Sequence, residues 1–112
     1  MNPNKKYLNL LSLATKAGKV VSGEFSTEKA IKEQTACFVL VAEDASLNTK
    51  KLFTDKCSFY EVPIVICASK EELGHAIGKV SRASVAVTDQ GLADAIAKYF
   101  DRNDMEVVEC QK

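Results

Sequence analysis

Residues 37–46 read CFVLVAEDAS, and this stretch decides how the rest of the chain is read. Cys37 to Ala42 lies in the longest unbroken apolar run, which stops abruptly at Glu43-Asp44. An amphipathic helix would repeat its apolar positions every three or four residues, and a half-buried strand every second one. A short run with no polar interruption is instead the pattern of a strand covered on both faces, as in the inner strands of α/β sheets. Glu43-Asp44-Ala45-Ser46 then falls at the C-terminal end of that strand and opens a helix running to about Tyr60.

The same logic extends in both directions. Ile64–Cys67, after Pro63, and Ser84–Val87 are further short apolar strands. Between them, Ser69-Lys70-Glu71-Glu72 has the Ser-x-x-Glu spacing in which each side chain satisfies a free backbone N–H, so a helix starts there, and Gly78 can end it. Thr88 or Asp89 caps the last helix, which turns Leu92, Ile96, Tyr99 and Phe100 inward. Toward the N-terminus, Asn2-Pro3 suits a helix start. Tyr7, Leu8, Leu11 and Ala14 follow at helical spacing, and Gly18 stops the helix. Lys19-Val20-Val21 is a short strand, and Ser22-Gly23 turns the chain into a second helix over 24–33. Strands alternating with helices predict an α/β fold, a three-layer α/β/α sandwich on a four-stranded mixed sheet. Residues 1–100 form one domain on this reading, and 101–112 an acidic, loosely held C-terminal tail.

Composition narrows the classes. With 112 residues, 46% of them apolar, the chain suits a single globular core. The apolar runs are too short to span a bilayer and no signal-peptide pattern opens the chain, so the expected location is the cytoplasm. Cys37, Cys57, Cys67 and Cys110 form no CxxC pair and His75 is the single histidine, so neither a metal nor a cofactor is expected. The net charge is zero but unevenly spread. Residues 1–35 carry six lysines against three acids, while 101–112 carry four acids against two bases. Local potential steers a polyanion more than the total charge does.

Catalytic patterns are weak. His75 sits inside a helix with nothing in the sequence to bring a nucleophile to it, and no glycine-rich phosphate loop is present. Glu43-Asp44 after a buried strand is the placement of a magnesium site in receiver-like domains. Such a domain needs five strand–helix units, and Asp44 or Ser46 can equally cap a helix. Ligands of open α/β sheets collect outside the strand ends. The candidate loops are therefore Ser22–Ser26, Glu43–Ser46 and Lys79–Ala83, with Lys29 and Lys32 just behind the open start of the second helix.

Three segments together carry a resemblance: GKVVSGEFSTEKAIK (18–32), FVLVAEDAS (38–46) and SKEELGHAIGKVSRASVAV (69–87). Over about residues 8 to 97 the chain resembles the ribosomal protein L-seven-Ae and L-thirty-e family of kink-turn RNA-binding proteins, and most of all its small bacterial YlxQ branch. The resemblance implies the same α/β/α fold and a non-enzymatic protein that binds structured, kink-turn-like RNA, ribosomal RNA included. Neither a membrane nor DNA is an expected partner. It also implies an RNA site. Gly23 would start the second helix, and Glu24, Phe25 and Ser26 form its first turn, with Lys29 directed at guanine edges and Lys32 beyond it. Glu43 and Asp44 would border the site, and Val80, Ser81 and Arg82 pack against a flipped-out base. Many archaeal-type members carry Asn-Glu where this chain has Phe25-Ser26, and each bidentate base contact is worth about 1–3 kcal/mol of discrimination. Phe25 either stacks on a base, as aromatics do in RNA sites, or folds back as a hydrophobic contact at the helix start. The alternative function is a protein-interaction adaptor of the same fold that lacks specific RNA binding.

Overall fold

The computed structural model describes residues 5–100 and 105–106. In chain order the elements are α1 (Tyr7–Lys16), β1 (Val20–Ser22), α2 (Glu24–Lys32), β2 (Phe38–Val41), α3 (Leu47–Tyr60), β3 (Ile64–Ile66), α4 (Lys70–Ala76), β4 (Ser84–Val87), α5 (Gln90–Ala97) and β5 (Met105–Glu106). The strands lie in the order β1-β4-β2-β3-β5. β2 and β3 are parallel, and β4 is antiparallel to both β1 and β2. The mixed sheet and its four expected strands are therefore present.

A fifth strand extends the sheet. Met105 and Glu106 pair antiparallel with Val65 and Ile64 of β3. The rest of the acidic tail, and the Asn2-Pro3 helix start, lie outside the described residues.

The apolar run explains itself in the packing. Side chains alternate faces along a strand. Phe38 pairs with Val87 on one face, while Val41 pairs with Ser84 on the other. On the first face Phe38 stacks on Phe100, which in turn meets Tyr7 of α1. On the second face the buried Ser84 hydroxyl donates to Thr27 of α2 at 3.4 Å, so neither polar group is left without a partner. Helices α1, α4 and α5 pack together, and α2 packs with α3, which gives the three layers. Every residue of β2 and of β4 is buried, as a strand between two helical layers must be.

The helix caps follow local chemistry. Ser69 and Glu72 form the reciprocal capping box, and Asp89 caps α5 through the Leu92 N–H. Helix α3 starts at Leu47 rather than at Glu43, because the Ser46 hydroxyl accepts the Thr49 N–H and fixes the first turn there. Glu72 also meets the Lys5 ammonium at 2.8 Å, and that contact holds its carboxyl below the usual range. Cys37, Cys57 and Cys67 are free thiols. Burial pushes Cys57 and Cys67 up to about 12, so both behave as core side chains. Cys110 lies outside the described residues.

Candidate functional site

Topology gathers the three candidate loops. Strands β1, β2 and β3 run one way and β4 the other, so three strands end, and β4 begins, at the same edge of the sheet. Helices α2, α3 and α4 follow those strands and therefore start there too. Backbone hydrogen bonds then stitch the loops together. Gly23 N–H donates to the Ser84 carbonyl at 3.0 Å, Ala42 N–H to Ala83 at 2.9 Å, and Glu43 N–H to Ala68 at 2.8 Å. Ala68 holds φ near 60°, an unusual conformation for a residue with a side chain, and it turns that carbonyl toward Glu43.

Gly23 is the residue before α2, with φ 91° and ψ 159°, a backbone conformation open in practice to glycine. It has no side chain with which to cap the helix, and no other side chain caps this end. The first N–H groups of α2 thus face outward with the positive end of the helix dipole. Phe25 stands on this first turn and is 79% exposed, so it does not fold back against the helix start. Ser26 is half-buried beside it, and Glu24 is exposed. Lys29 lies one turn on from Phe25 on the same solvent face and forms no ion pair among the described residues. Lys32 is different. Its ammonium lies 3.8 Å from Glu28, which is also 3.7 Å from Lys56 of α3, so it faces α3 and not the loops.

The acidic pair divides in role. Glu43 is exposed. Asp44 accepts the Lys70 N–H at 2.9 Å, so its carboxylate satisfies the first turn of α4 and ties the turn after β2 to it. No group of three or more His, Cys, Asp or Glu side chains placed to hold a metal ion occurs among the described residues.

The loop over 79–83 is held rigidly. Lys79 N–H donates to Gly74 at 2.8 Å and Arg82 N–H to Lys70 at 3.0 Å. A Cβ on Gly74 would stand 2.4 Å from the Ser81 Cα, so the loop backbone rests directly on α4 where only glycine leaves room. At its tip Val80 is 90% exposed. Arg82 turns back along the loop, donating from Nη1 to the Ser81 carbonyl at 2.7 Å and from Nε to the Ser22 hydroxyl at 3.1 Å.

The structure thus brings together Gly23, Glu24, Phe25, Ser26 and Lys29 with Glu43, Asp44, Val80, Ser81 and Arg82, and leaves Lys32 aside. It also adds residues that sequence reading passed over. Lys70 is exposed, and its own N–H and carbonyl link Asp44 to Arg82. The capping box that starts α4 already put Lys70 at that helix's first position. Leu47, the first residue of α3, is 81% exposed, so each of the three segments presents a large apolar side chain to solvent: Phe25, Leu47 and Val80.

Comparison with known proteins gives a consistent result. Residues 5–97 match the family model described as the ribosomal protein L7Ae/L30e/S12e/Gadd45 family. The RNA-binding protein YlxQ of Bacillus subtilis is 48% identical over 96 residues, covering 86% of this chain and 96% of that protein. The large ribosomal subunit protein eL8 of Thermoplasma volcanium is 29% identical over 96 residues, covering 85% and 79%. A solved structure of a Bacillus halodurans protein, described as of unknown function, superimposes with a TM-score of 0.83 at 34% identity. That alignment covers 86% of this chain and 97% of the other.

Proposed function

Because the chain belongs to the ribosomal protein L7Ae/L30e/S12e/Gadd45 family, we propose that it is a non-enzymatic RNA-binding protein of the cytoplasm that recognises structured, kink-turn-like RNA, in association with the ribosome. The observation that carries this reading is the composition of one sheet edge. An uncapped helix start, two cations without acidic partners among the described residues (Lys29 and Arg82) and three exposed apolar side chains stand on loops fastened to one another and on the helix starts beside them. Each part has a use on RNA. The helix N–H groups suit phosphate or polar base edges. Lys29 suits guanine O6 and N7. Phe25, Leu47 and Val80 suit unstacked bases, which single-stranded and kinked segments expose and regular duplexes do not. The names of the B. subtilis and T. volcanium relatives support the RNA and the ribosomal parts of the reading respectively.

A gel-shift series tests it, comparing a kink-turn RNA with a plain hairpin of equal length at two salt concentrations. The expected result is tighter binding to the kink-turn at both, with affinity falling as salt rises. Equal affinity for the two RNAs would remove kink-turn recognition and leave general RNA binding. No binding to either would remove the RNA reading.

A further inference from the structure

We infer that Ser22, which opens the Ser22–Ser26 loop, is a positioning residue that holds Arg82 in the orientation needed to meet RNA. The inference rests on the RNA-binding reading above and deepens it.

The argument begins with an arginine that lacks its usual partner. Arg82 is half-buried, yet no carboxylate lies within ion-pair distance of it among the described residues. A charge drawn partly out of water is normally matched by an opposite one. Here two neutral oxygens hold it instead: the Ser22 hydroxyl at 3.1 Å on Nε and the Ser81 carbonyl at 2.7 Å on Nη1. These fix the plane of the guanidinium without cancelling its charge. A guanidinium has five N–H donors, so about three remain for another acceptor. A planar, charged fork held in advance loses little freedom when it binds, which is how positioning contributes to affinity.

The location fits the same purpose. Ser22 is the last residue of the edge strand β1 and immediately precedes Gly23, while Arg82 lies 60 residues away on the Val80 loop. Their hydrogen bond therefore joins the start of α2 to that loop through side chains. Strand positions favour β-branched residues such as the preceding Val20 and Val21. The serine contributes a hydroxyl there, and the partner of that hydroxyl is Arg82. Lysine in place of Arg82 would keep the charge but lose the Nε donor and the plane.

The experiment titrates a labelled kink-turn RNA with the wild type, Ser22→Ala, Ser22→Thr, Arg82→Lys and the double variant Ser22→Ala/Arg82→Lys. Solvent exchange of the Arg82 Nε–H is followed by NMR in the RNA-free proteins. Arg102 is the one other arginine in the sequence, so the signal is readily assigned. Ser22→Ala is expected to weaken binding roughly tenfold, the scale of a hydrogen bond to a charged group, and to speed Nε–H exchange. Ser22→Thr, which keeps the hydroxyl, should stay within about twofold of wild type, and the double variant should bind no more weakly than the weaker single one. Losses that multiply in the double variant, or an Nε–H exchange unchanged in Ser22→Ala, would overturn the inference. Full binding by Ser22→Ala beside a tight wild type would overturn it alone. Failure of the wild type itself to bind would overturn it together with the RNA reading.

Discussion

Replacing Gly74 by alanine tests how firmly α4 supports the Val80 loop. The new Cβ would stand 2.4, 2.6 and 2.9 Å from the Cα, N and C atoms of Ser81, whereas ordinary contact begins near 3.4 Å. All three atoms are backbone, so no side chain can rotate away, and the loop must retreat by about 1 Å against its hydrogen bonds to Gly74 and Lys70. Such overpacking costs about 1–3 kcal/mol, while alanine in a helix recovers up to about 1 kcal/mol relative to glycine. With the middle of the overpacking range and the full helix gain, a net loss of about 1 kcal/mol follows. For a chain of 112 residues, unfolding entropy of about 2.1 cal/mol/K per residue converts that loss into a Tm lower by roughly 4 °C. Circular-dichroism melts read it directly. RNA titrations well below the Tm should also show weaker binding with an unchanged salt slope, because Val80 and Arg82 flank the displaced Ser81 and no charge is removed. A Tm equal to or above that of the wild type would mean that helix propensity dominates and that the loop does not rest on α4 as described.

Other perturbations separate the parts of the site. Phe25→Ala should leave the melt within about 0.5 kcal/mol of wild type and cost about 1–3 kcal/mol of RNA affinity if the ring stacks on a base; unchanged affinity would refute stacking. Lys29→Ala should weaken RNA binding, with the salt slope lower by about one unit if the ammonium meets a phosphate and unmoved if it meets a base edge. An isotherm unchanged in both respects would take Lys29 out of the interface. Glu72 has a folded-state pKa below its ordinary 4.5, so the stability it contributes is present above that pH and is lost as pH falls through the folded value. Wild type should therefore lose stability below pH 4.5 more steeply than Glu72→Gln, most visibly at low salt because both partners are partly exposed, and superimposable acid limbs would refute this.

Much of the scaffold was legible because its signals are local. The run from Cys37 to Ala42 and the strand at Ser84–Val87 are apolar for the reason found in the packing, a helical layer on each side. Ser69 and Glu72 sit three residues apart, and their capping box is a matter of spacing alone. The contacts that make the site are of another kind. Asp44 reaches Lys70 across 26 residues and Arg82 reaches Ser22 across 60. The sequence showed that Asp44 or Ser46 could cap a helix, but not that each caps a different one, Ser46 its own α3 and Asp44 the neighbouring α4. Phe25 stood open between two roles because exposure depends on what covers a side chain, and that is decided by distant segments. Lys32 looked equivalent to Lys29 by helical spacing until α3 supplied Glu28 with a second lysine. Strand β5 was invisible for a simpler reason, since two residues in an acidic stretch carry no periodicity.

That short strand has a consequence for anyone handling the protein. Without Met105 and Glu106, β3 becomes the open border of the sheet, and the backbone N–H and carbonyl of Ile64, which point away from β2, face outward without a neighbouring strand. An uncovered apolar edge of this kind is a template on which a second molecule can add its own strand. A version shortened to end after Phe100 would keep all three candidate loops, yet it should aggregate at lower concentration than the longer chain. The pairing of Met105 and Glu106 with β3 thus shields one border of the sheet, and purification tags belong beyond them, not in their place.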